Sequence, residues 1–187
     1  MSERASARRQ VLELMPKNAV GAEIGVHLGD FSAQILKVAC PRTLHLVDPW
    51  LYLPQPAYRG SWYGGPRHNQ QEMDERYANV SARFGTEIQK GQIVVHRGFA
   101  SDVASQFGQG ELDFLYVDGD HTYKGVSSDI ESYWEKLKIN SVLIADDYSL
   151  DGWWGDGVVR AVHDALNTRK CIVAFALGNQ IALKRIG

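Results

Sequence analysis

The stretch AVGAEIGVHLGD, residues 19–30, decides how the rest of the chain is interpreted. Short apolar and β-branched residues lead into a turn that holds two glycines, and apolar side chains then recur at helical spacing from Phe31 to Ala39. Pro41 ends that predicted helix. A buried strand, a glycine turn and an amphipathic helix together form one βα unit, the repeating element of a parallel sheet.

The same alternation of strand and helix continues along the chain. Strands are predicted at residues 19–26, 43–49, 91–98, 112–120 and 141–148, and further helices at about residues 70–84, 125–137 and 158–167. Two more strands, CIVAFALG and NQIALKRI, are too close in sequence for a crossover and therefore predict an antiparallel hairpin. We therefore expect one α/β domain over residues 19–187, preceded by an N-terminal arm, residues 1–18, that contains a short helix.

The composition narrows the classes of function. The 187 residues, 44% of them hydrophobic, suffice for one domain with a complete core. A formal net charge of −2 produces no global field that would favour nucleic acid or an anionic membrane, so a small ligand is expected. The N-terminus has no apolar leader segment, and no stretch approaches the roughly 18 apolar residues of a membrane span, so we expect a cytoplasmic protein.

Two features are predicted to be structural rather than functional. Cys40 and Cys171 match no disulfide or zinc-ligand spacing and are expected to be core thiols. Three arginines near the N-terminus, Arg4, Arg8 and Arg9, could form a phosphate-binding arm, but a solvated helix face is the favoured interpretation.

The ends of the predicted strands carry the residues suited to binding. Ligands of an open parallel sheet bind outside the carboxyl ends of its strands, and four of the five such ends here carry acids. The pattern Glu23-x-Gly25-x-x-x-Gly29 permits a tight turn that brings a helix N-terminus near a ligand, but it lacks the third glycine of a dinucleotide site. Its acid would repel phosphates and favour a ligand with a positive centre. Asp48 is placed to accept hydrogen bonds from ribose hydroxyls, although a loop acid that caps a turn is the alternative.

These residues resemble a known family. The segments AEIGVHLGDFS, LHLVDPW, LDFLYVDGDHTYKGV and VLIADDY occur in the order found in class I S-adenosylmethionine-dependent methyltransferases, and the resemblance covers about residues 19–187. It is strongest to the metal-dependent O-methyltransferases that act on small molecules such as sugars and catechols. The resemblance implies a Rossmann-like, doubly wound, seven-stranded and mostly parallel sheet, with the last strand antiparallel and helices on both faces.

The resemblance also implies S-adenosyl-L-methionine as the cofactor. The turn with Gly25 and Gly29 would approach its methionine part, and Asp48 would hold its ribose. Glu23 would bond to its amino group or to loop amides. The residues after the third strand occupy the region where this fold usually places adenine: Phe99, Ala100 and Ser101.

A cation site is predicted from the acids after the fourth and fifth strands. Asp118, Asp146 and Asp147 would converge in one crevice, where like charges raise each other's pKa unless a cation binds. Oxygen ligands suit Mg²⁺, Mn²⁺ or Ca²⁺, and the resemblance implies magnesium at these acids. Taken singly, an Asp-Asp pair at a strand end is more often a helix cap or a solvated turn.

The predicted reaction is transfer of the sulfonium methyl group to a substrate hydroxyl. His121, three residues after Asp118 as in the related enzymes, is the expected base, because an imidazole removes protons near neutral pH. Asp118 is therefore assigned to catalysis as well as to metal and cofactor binding. Lys124 is the alternative base, although an ordinary lysine is protonated at pH 7. Asp120 is expected to cap the turn or to support the site from behind.

Two aromatic loops are expected to shape the acceptor pocket. The insertion at residues 50–68 is rich in Trp and Tyr, and Trp153 and Trp154 lie in the second loop. Flat faces suit a ring-shaped acceptor, whereas a contact between subunits of a homo-oligomer is the alternative. A methyltransferase-like protein that binds a nucleoside or nucleotide sugar without transferring a methyl group also stays open. An NAD-dependent dehydrogenase is disfavoured by the missing glycine and the excess of acids.

Overall fold

Seven strands build one sheet in a computed structural model that describes residues 3–58, 61–64, 67 and 69–187. The strands are β1 Val20–Ile24, β2 Thr43–Asp48, β3 Ile93–Arg97, β4 Leu112–Val117, β5 Leu137–Ala145, β6 Cys171–Leu177 and β7 Gln180–Arg185. The helices of the described residues are α1 Glu3–Leu14, α2 Asp30–Val38, α3 Gln70–Arg83, α4 Gly85–Gln89, α5 Ala100–Val103, α6 Tyr123–Tyr133 and α7 Gly157–Thr168.

The sheet order is β3-β2-β1-β4-β5-β7-β6. Strands β1 to β5 are parallel, and β7 runs antiparallel to both β5 and β6. The predicted doubly wound, mostly parallel sheet with an antiparallel last strand is therefore confirmed. The strand order reverses between β1 and β4, so the crevice at their carboxyl ends is where this topology binds ligands.

Apolar side chains cover both faces of the sheet. On one face, α6 and α7 pack through residues such as Ile130 and Val162. On the other, α1, α2 and α3 contribute Val11, Ile35 and Val80, all of them without exposed surface. Burying each such side chain stabilises the fold by roughly 1.5–3 kcal/mol. No helix among the described residues is long and apolar enough to cross a membrane.

Strand β5 begins earlier than the sequence predicted. Helix α6 ends at Tyr133, and after one 3₁₀ turn the chain enters β5 at Leu137, which pairs with Leu112 of β4. The register shifts between Leu112 and Phe114, so the extra residues at the start of β5 are absorbed by an irregularity in the ladder. The helical spacing of apolar residues up to Leu137 therefore predicted too long a helix. Pairing of Leu137 with β4 makes the end of that segment a strand.

The expectation that both cysteines are core thiols is wrong for Cys40. Cys40 is exposed, since it follows the end of α2 with a φ of 48°, whereas Cys171 is half-buried on the edge strand β6 and packs against the core. Trp50, predicted to belong to the acceptor loop, lines the cavity, but it is 1% exposed and packs mostly in the apolar core. Its indole instead closes the core beneath the site, donating a hydrogen bond to the His27 carbonyl at 3.0 Å.

Candidate active site

The two glycines after β1 are required by the space around them. Gly25 has a φ of +90°, and a Cβ added there would lie 2.2 Å from the carbonyl oxygen of Asp118. Gly29 has a φ of +76°, and its Cβ would lie 2.7 Å from the Phe84 ring. Both residues adopt a backbone conformation that L side chains rarely tolerate. Gly25 therefore allows the ends of β1 and β4 to approach each other, and Gly29 allows the turn to pack on Phe84.

A cavity of about 540 Å³ lies at this crevice. Pockets of this size suit a cofactor-sized ligand. The predicted site residues that line it are Glu23, Gly25, Asp48, Asp118, His121 and Asp147. Residues Phe99, Ala100 and Ser101 do not line it; they lie after β3, at the start of α5.

Glu23 lies at the floor of the cavity and is fully buried. Its Oε2 accepts a hydrogen bond from the Ser32 hydroxyl, while Oε1 has no partner among the described residues. Burial raises the pKa of this carboxyl to about 8, although the Ser32 hydrogen bond opposes the shift. An unpaired buried carboxylate oxygen is costly unless a donor or a cation arrives. Glu23 is therefore suited to an ammonium group of a ligand.

We expect the variant Glu23→Gln to be more stable than the parent, with a difference that grows as pH rises. The ordinary pKa of 4.5 and the raised value of about 8 mean that the unfolded chain is ionised in this window while the folded one keeps its proton. Folded stability therefore falls between about pH 4.5 and 8, by on the order of 5 kcal/mol in total, and the contribution of Glu23 is flat above pH 8. Thermal melts from pH 5 to 9 measure this difference.

The matched control is Glu13→Gln, because the Glu13 side chain is 55% exposed. Its melting temperature should follow that of the parent at every pH. A parent and a Glu23→Gln variant with parallel pH profiles would show that Glu23 is already ionised in the folded protein.

Asp48 organises the glycine turn from the end of β2. Its Oδ2 accepts hydrogen bonds from the amides of Val26 and His27 at 2.9 and 3.0 Å, and Oδ1 accepts from the Trp50 amide at 2.7 Å. Burial raises the pKa of Asp48, whereas these three amides lower it. The capped turn considered from the sequence is therefore present. Each carboxylate oxygen offers more than one lone pair, so the capacity to accept a ligand hydroxyl persists.

Two of the three predicted cation ligands meet around His121. Its Nε2 lies 3.3 Å from Asp118 Oδ1, and its Nδ1 lies 3.4 Å from Asp147 Oδ2. One ligand atom from each of these three side chains lies within 4.8 Å of the others, a spacing that a single cation could bridge. Two carboxylates and an imidazole form a reasonable donor set for a divalent cation. Asp118 and Asp147 belong to the predicted cation ligands, whereas His121 was predicted as the base and not as a ligand.

Asp146, the third predicted ligand, is engaged elsewhere. Its Oδ1 accepts hydrogen bonds from Gln180 Nε2 at 2.8 Å and from the Tyr116 hydroxyl at 3.2 Å. Its Oδ2 is held by the guanidinium of Arg8, which also contacts Asp118 Oδ2 at 2.9 Å. Both oxygens of Asp146 therefore already have partners within the protein.

His121 is placed to exchange a proton with a ligand in the cavity. Burial lowers the pKa of its imidazole, but the carboxylates of Asp118 and Asp147 outweigh burial and raise it overall. Trp154 contacts the ring edge-on, with centroids 4.9 Å apart. Lys124, the alternative base, is exposed on α6 and does not line the cavity. Asp120 accepts a hydrogen bond from the Thr122 amide at 2.9 Å, as expected of a residue that caps this turn.

Both aromatic segments reach the mouth of the cavity. Trp62 stacks on His27 with ring centroids 4.6 Å apart. Tyr58 meets Trp153 edge to face, with ring centroids 6.4 Å apart. The Tyr58 hydroxyl donates to Asp120 Oδ2 at 3.0 Å, which ties the first aromatic segment to the end of β4. Residues 59, 60, 65, 66 and 68 of the predicted insertion lie outside the described residues.

Arg8 was missed as a site residue. The favoured interpretation of a solvated helix face holds for Arg9, whose side chain is 64% exposed, but not for Arg8 at 22%; the Arg4 side chain is outside the described residues. The spacing offered a signal, because Val11 and Leu12 follow Arg8 at i+3 and i+4 and both are buried. Arg8 is thus on the inward face of α1.

Gln180 and Arg76 were also missed. Gln180 is fully buried at the start of β7, a position that depends on the order of strands in the sheet. Arg76 of α3 lines the cavity and donates to the Trp62 carbonyl at 2.9 Å. Gln180 acquires its partner only through tertiary contacts, whereas Arg76 also pairs with Glu72 one turn earlier in α3, a spacing that the sequence shows.

Three solved structures illustrate how widely this fold is used. An S-adenosylhomocysteine-bound methyltransferase from Podospora anserina is 13% identical, with a TM-score of 0.67 over 100% of this chain and 80% of that chain. A proposed caffeoyl-CoA O-methyltransferase from Staphylococcus aureus is 14% identical, with a TM-score of 0.64 over 98% and 85%. A proposed rRNA methylase from Clostridium thermocellum is 10% identical, with a TM-score of 0.67 over 100% and 97%. At these identities the likeness shows the fold alone.

The family is established by sequence. No curated protein matches the chain. Residues 22–148, more than half of the chain, match the family described as a methyltransferase domain, and this range holds the glycine turn and the acids that line or adjoin the cavity. The chain therefore belongs to the methyltransferase-domain family and has the class I fold of the S-adenosylmethionine-dependent methyltransferases.

Proposed function

We propose that the protein transfers the methyl group of S-adenosylmethionine to a hydroxyl of a small molecule, assisted by a divalent cation. The observation that carries this proposal is the position of His121 in the cavity wall, between the carboxylates of Asp118 and Asp147. A base flanked by two acids, beside a glycine turn that can accept the cofactor, has the parts that hydroxyl methylation needs.

The residues around the glycine turn would hold the cofactor. Glu23 Oε1, unpartnered and buried, is suited to the ammonium of the methionine part. Gly25 lines the cavity, and any side chain there would strike the Asp118 carbonyl, so glycine keeps the ends of β1 and β4 close enough to frame the cofactor site. Asp48 keeps this loop in shape and has lone pairs left for a ribose hydroxyl. A sulfonium group at this position is favoured by the surrounding acids.

The chemistry then needs one proton transfer and one methyl transfer. The new bond forms between the acceptor oxygen and the methyl carbon, the carbon–sulfur bond breaks with its electron pair left on sulfur, and His121 takes the hydroxyl proton. Asp118 and Asp147 stabilise the imidazolium that results. A divalent cation bound at the acids, magnesium or another that prefers oxygen ligands, would lower the pKa of the hydroxyl.

The aromatic rings at the cavity mouth support a ring-shaped acceptor. Trp62 and Trp153 are 66% and 37% exposed, and Trp154 contacts the His121 ring. Flat faces next to the base would align an aromatic or sugar ring for transfer. The name of the Staphylococcus aureus neighbour, a proposed caffeoyl-CoA O-methyltransferase, is in keeping with this choice.

The proposal is tested by calorimetric titration of S-adenosylmethionine and S-adenosylhomocysteine, first with Mg²⁺ and then with excess chelator. We expect micromolar cofactor binding in the parent and in Asp147→Asn, and a heat of Mg²⁺ binding in the parent that Asp147→Asn lacks. The reason is that the Asn side chain keeps the shape of Asp147 but removes a charged ligand from the group around His121.

The control is Asp151→Asn, an exposed acid of the following loop, which should keep both heats. Failure to bind either nucleoside would contradict the proposed cofactor. Cofactor binding without any Mg²⁺ heat in the parent would remove the cation from the proposal. Radiolabelled methyl transfer to a panel of phenols and sugars would then distinguish an enzyme from a protein that only binds the cofactor.

A further inference from the structure

One guanidinium joins the ends of two neighbouring strands at the proposed cation site. The same Nη2 atom of Arg8 contacts Oδ2 of Asp118 after β4, at 2.9 Å, and Oδ2 of Asp146 after β5. The Arg8 side chain lies over the Phe31 ring, with Cζ 5.0 Å from the ring centroid, so a cation–π contact also holds the guanidinium in place. Helix α1 thus carries a positive charge into the wall of the cavity.

Asp118 is shared between Arg8 and the group that could hold a cation. Its Oδ1 faces His121, and its Oδ2 faces Arg8. Three aspartates meet here, and among the described groups Arg8 is a permanent positive charge in contact with two of them. A divalent cation at Asp118 and Asp147 would lie close to that charge, and like charges in a partly buried site repel strongly. The cation and Arg8 therefore compete for the charge of one carboxylate.

We propose that Arg8 is an internal counter-cation that weakens divalent-metal binding at the carboxylates of Asp118 and Asp147 and couples it to the docking of α1. The inference rests on the proposed function, since it concerns the same cation site. In this arrangement Asp146 is an anchor for Arg8, because Gln180 and Tyr116 fix its other oxygen. Binding of a metal ion takes Asp118 away from Arg8 and loosens the attachment of α1.

The test measures Mn²⁺ binding directly, from the loss of the free-ion paramagnetic resonance signal when Mn²⁺ alone is added at pH 8. Removing the charge in Arg8→Gln should tighten Mn²⁺ binding about tenfold or more, because the repulsion between close charges is lost. Arg8→Lys keeps the charge and should bind as the parent does. Arg9→Gln is the matched control, because Arg9 is on the same helix and pairs with Glu13 on the exposed side.

The outcomes separate this inference from the proposed function. Binding by Arg8→Gln that is equal to or weaker than that of the parent overturns the inference and leaves the proposed cation site intact. Absence of Mn²⁺ binding in the parent and in Arg8→Gln, with S-adenosylhomocysteine still bound, overturns the inference and the cation assistance together. Equal tightening in Arg9→Gln also overturns it, because the effect would then be one of net charge.

A second measurement needs no variant and therefore holds even if Arg8→Gln does not fold. Hydrogen exchange of the parent should become faster at the amides of Val11 and Leu12, in α1, when Mn²⁺ is added. Exchange in α3, on the same face of the sheet, should not change. Unaltered exchange in α1 at saturating Mn²⁺ would contradict the coupling.

Discussion

Replacing Gly25 with alanine is expected to abolish cofactor binding and to lower the free energy of unfolding by about 3 kcal/mol or more. Two costs add: about 1–2 kcal/mol for an L side chain at a φ of +90°, and a further penalty for a methyl group 2.2 Å from the Asp118 carbonyl oxygen. Relief of the clash requires β1 and β4 to move apart. Because misplacement by about 1 Å can cost on the order of 100-fold, S-adenosylhomocysteine affinity should fall at least that much.

Gly91→Ala separates the two costs. Gly91 also has a positive φ, +71°, but nothing lies within 4 Å of the Cβ that would be added. We expect this variant to lose about 1 kcal/mol of stability and to bind the nucleoside as the parent does. Chemical denaturation of both variants measures the free energy of unfolding, and calorimetry measures the affinity for S-adenosylhomocysteine. Equal losses of stability in the two would show that the approach of β1 to β4 is not tight.

Asp146→Ala should destabilise the protein by about 3–5 kcal/mol, a much larger loss than we expect for a change at the neighbouring Asp147. The substitution removes the carboxylate that holds Arg8 and leaves the Gln180 amide and the Tyr116 hydroxyl without their acceptor. Breaking a buried pair by deleting one partner has this magnitude. Urea denaturation of the purified variant measures it.

Asp147→Asn provides the comparison. Asn tolerates the left-handed φ of 54° at this position, and the change should cost about 1 kcal/mol of stability while removing metal binding. The double variant Arg8→Gln/Asp146→Ala should be less destabilised than the sum of the single changes, because the two side chains share one interaction. Additive losses, or a stable Asp146→Ala, would contradict the assignment of Asp146 as an anchor for Arg8.

The strand ends were predictable because they follow from local pattern. Alternation of apolar strands with amphipathic helices located β1 to β5, and the parallel sheet then placed Asp48, Asp118 and Asp147 at one edge. Gly25 was recognised from the turn that it opens. Each of these inferences depends on residues within one βα unit, where spacing in the sequence translates directly into position.

The partners of Asp146 could not be obtained in that way. The side chain itself was correctly placed after β5, but which way it points is decided by Arg8 and Gln180, which reach it from other elements. Sequence spacing assigns Asp146 and Asp147 the same chemistry, whereas the φ of 54° at Asp147 turns the second carboxylate to His121. Backbone reversals of this kind depend on tertiary packing and leave no periodic signal.

The bonds of Asp146 also bear on how the protein is made. One partner lies 138 residues earlier in the chain and another 34 residues later. During synthesis the carboxylate therefore stays without Gln180 until β7 has left the ribosome, so a chain cut before β7 should contain an ill-formed site.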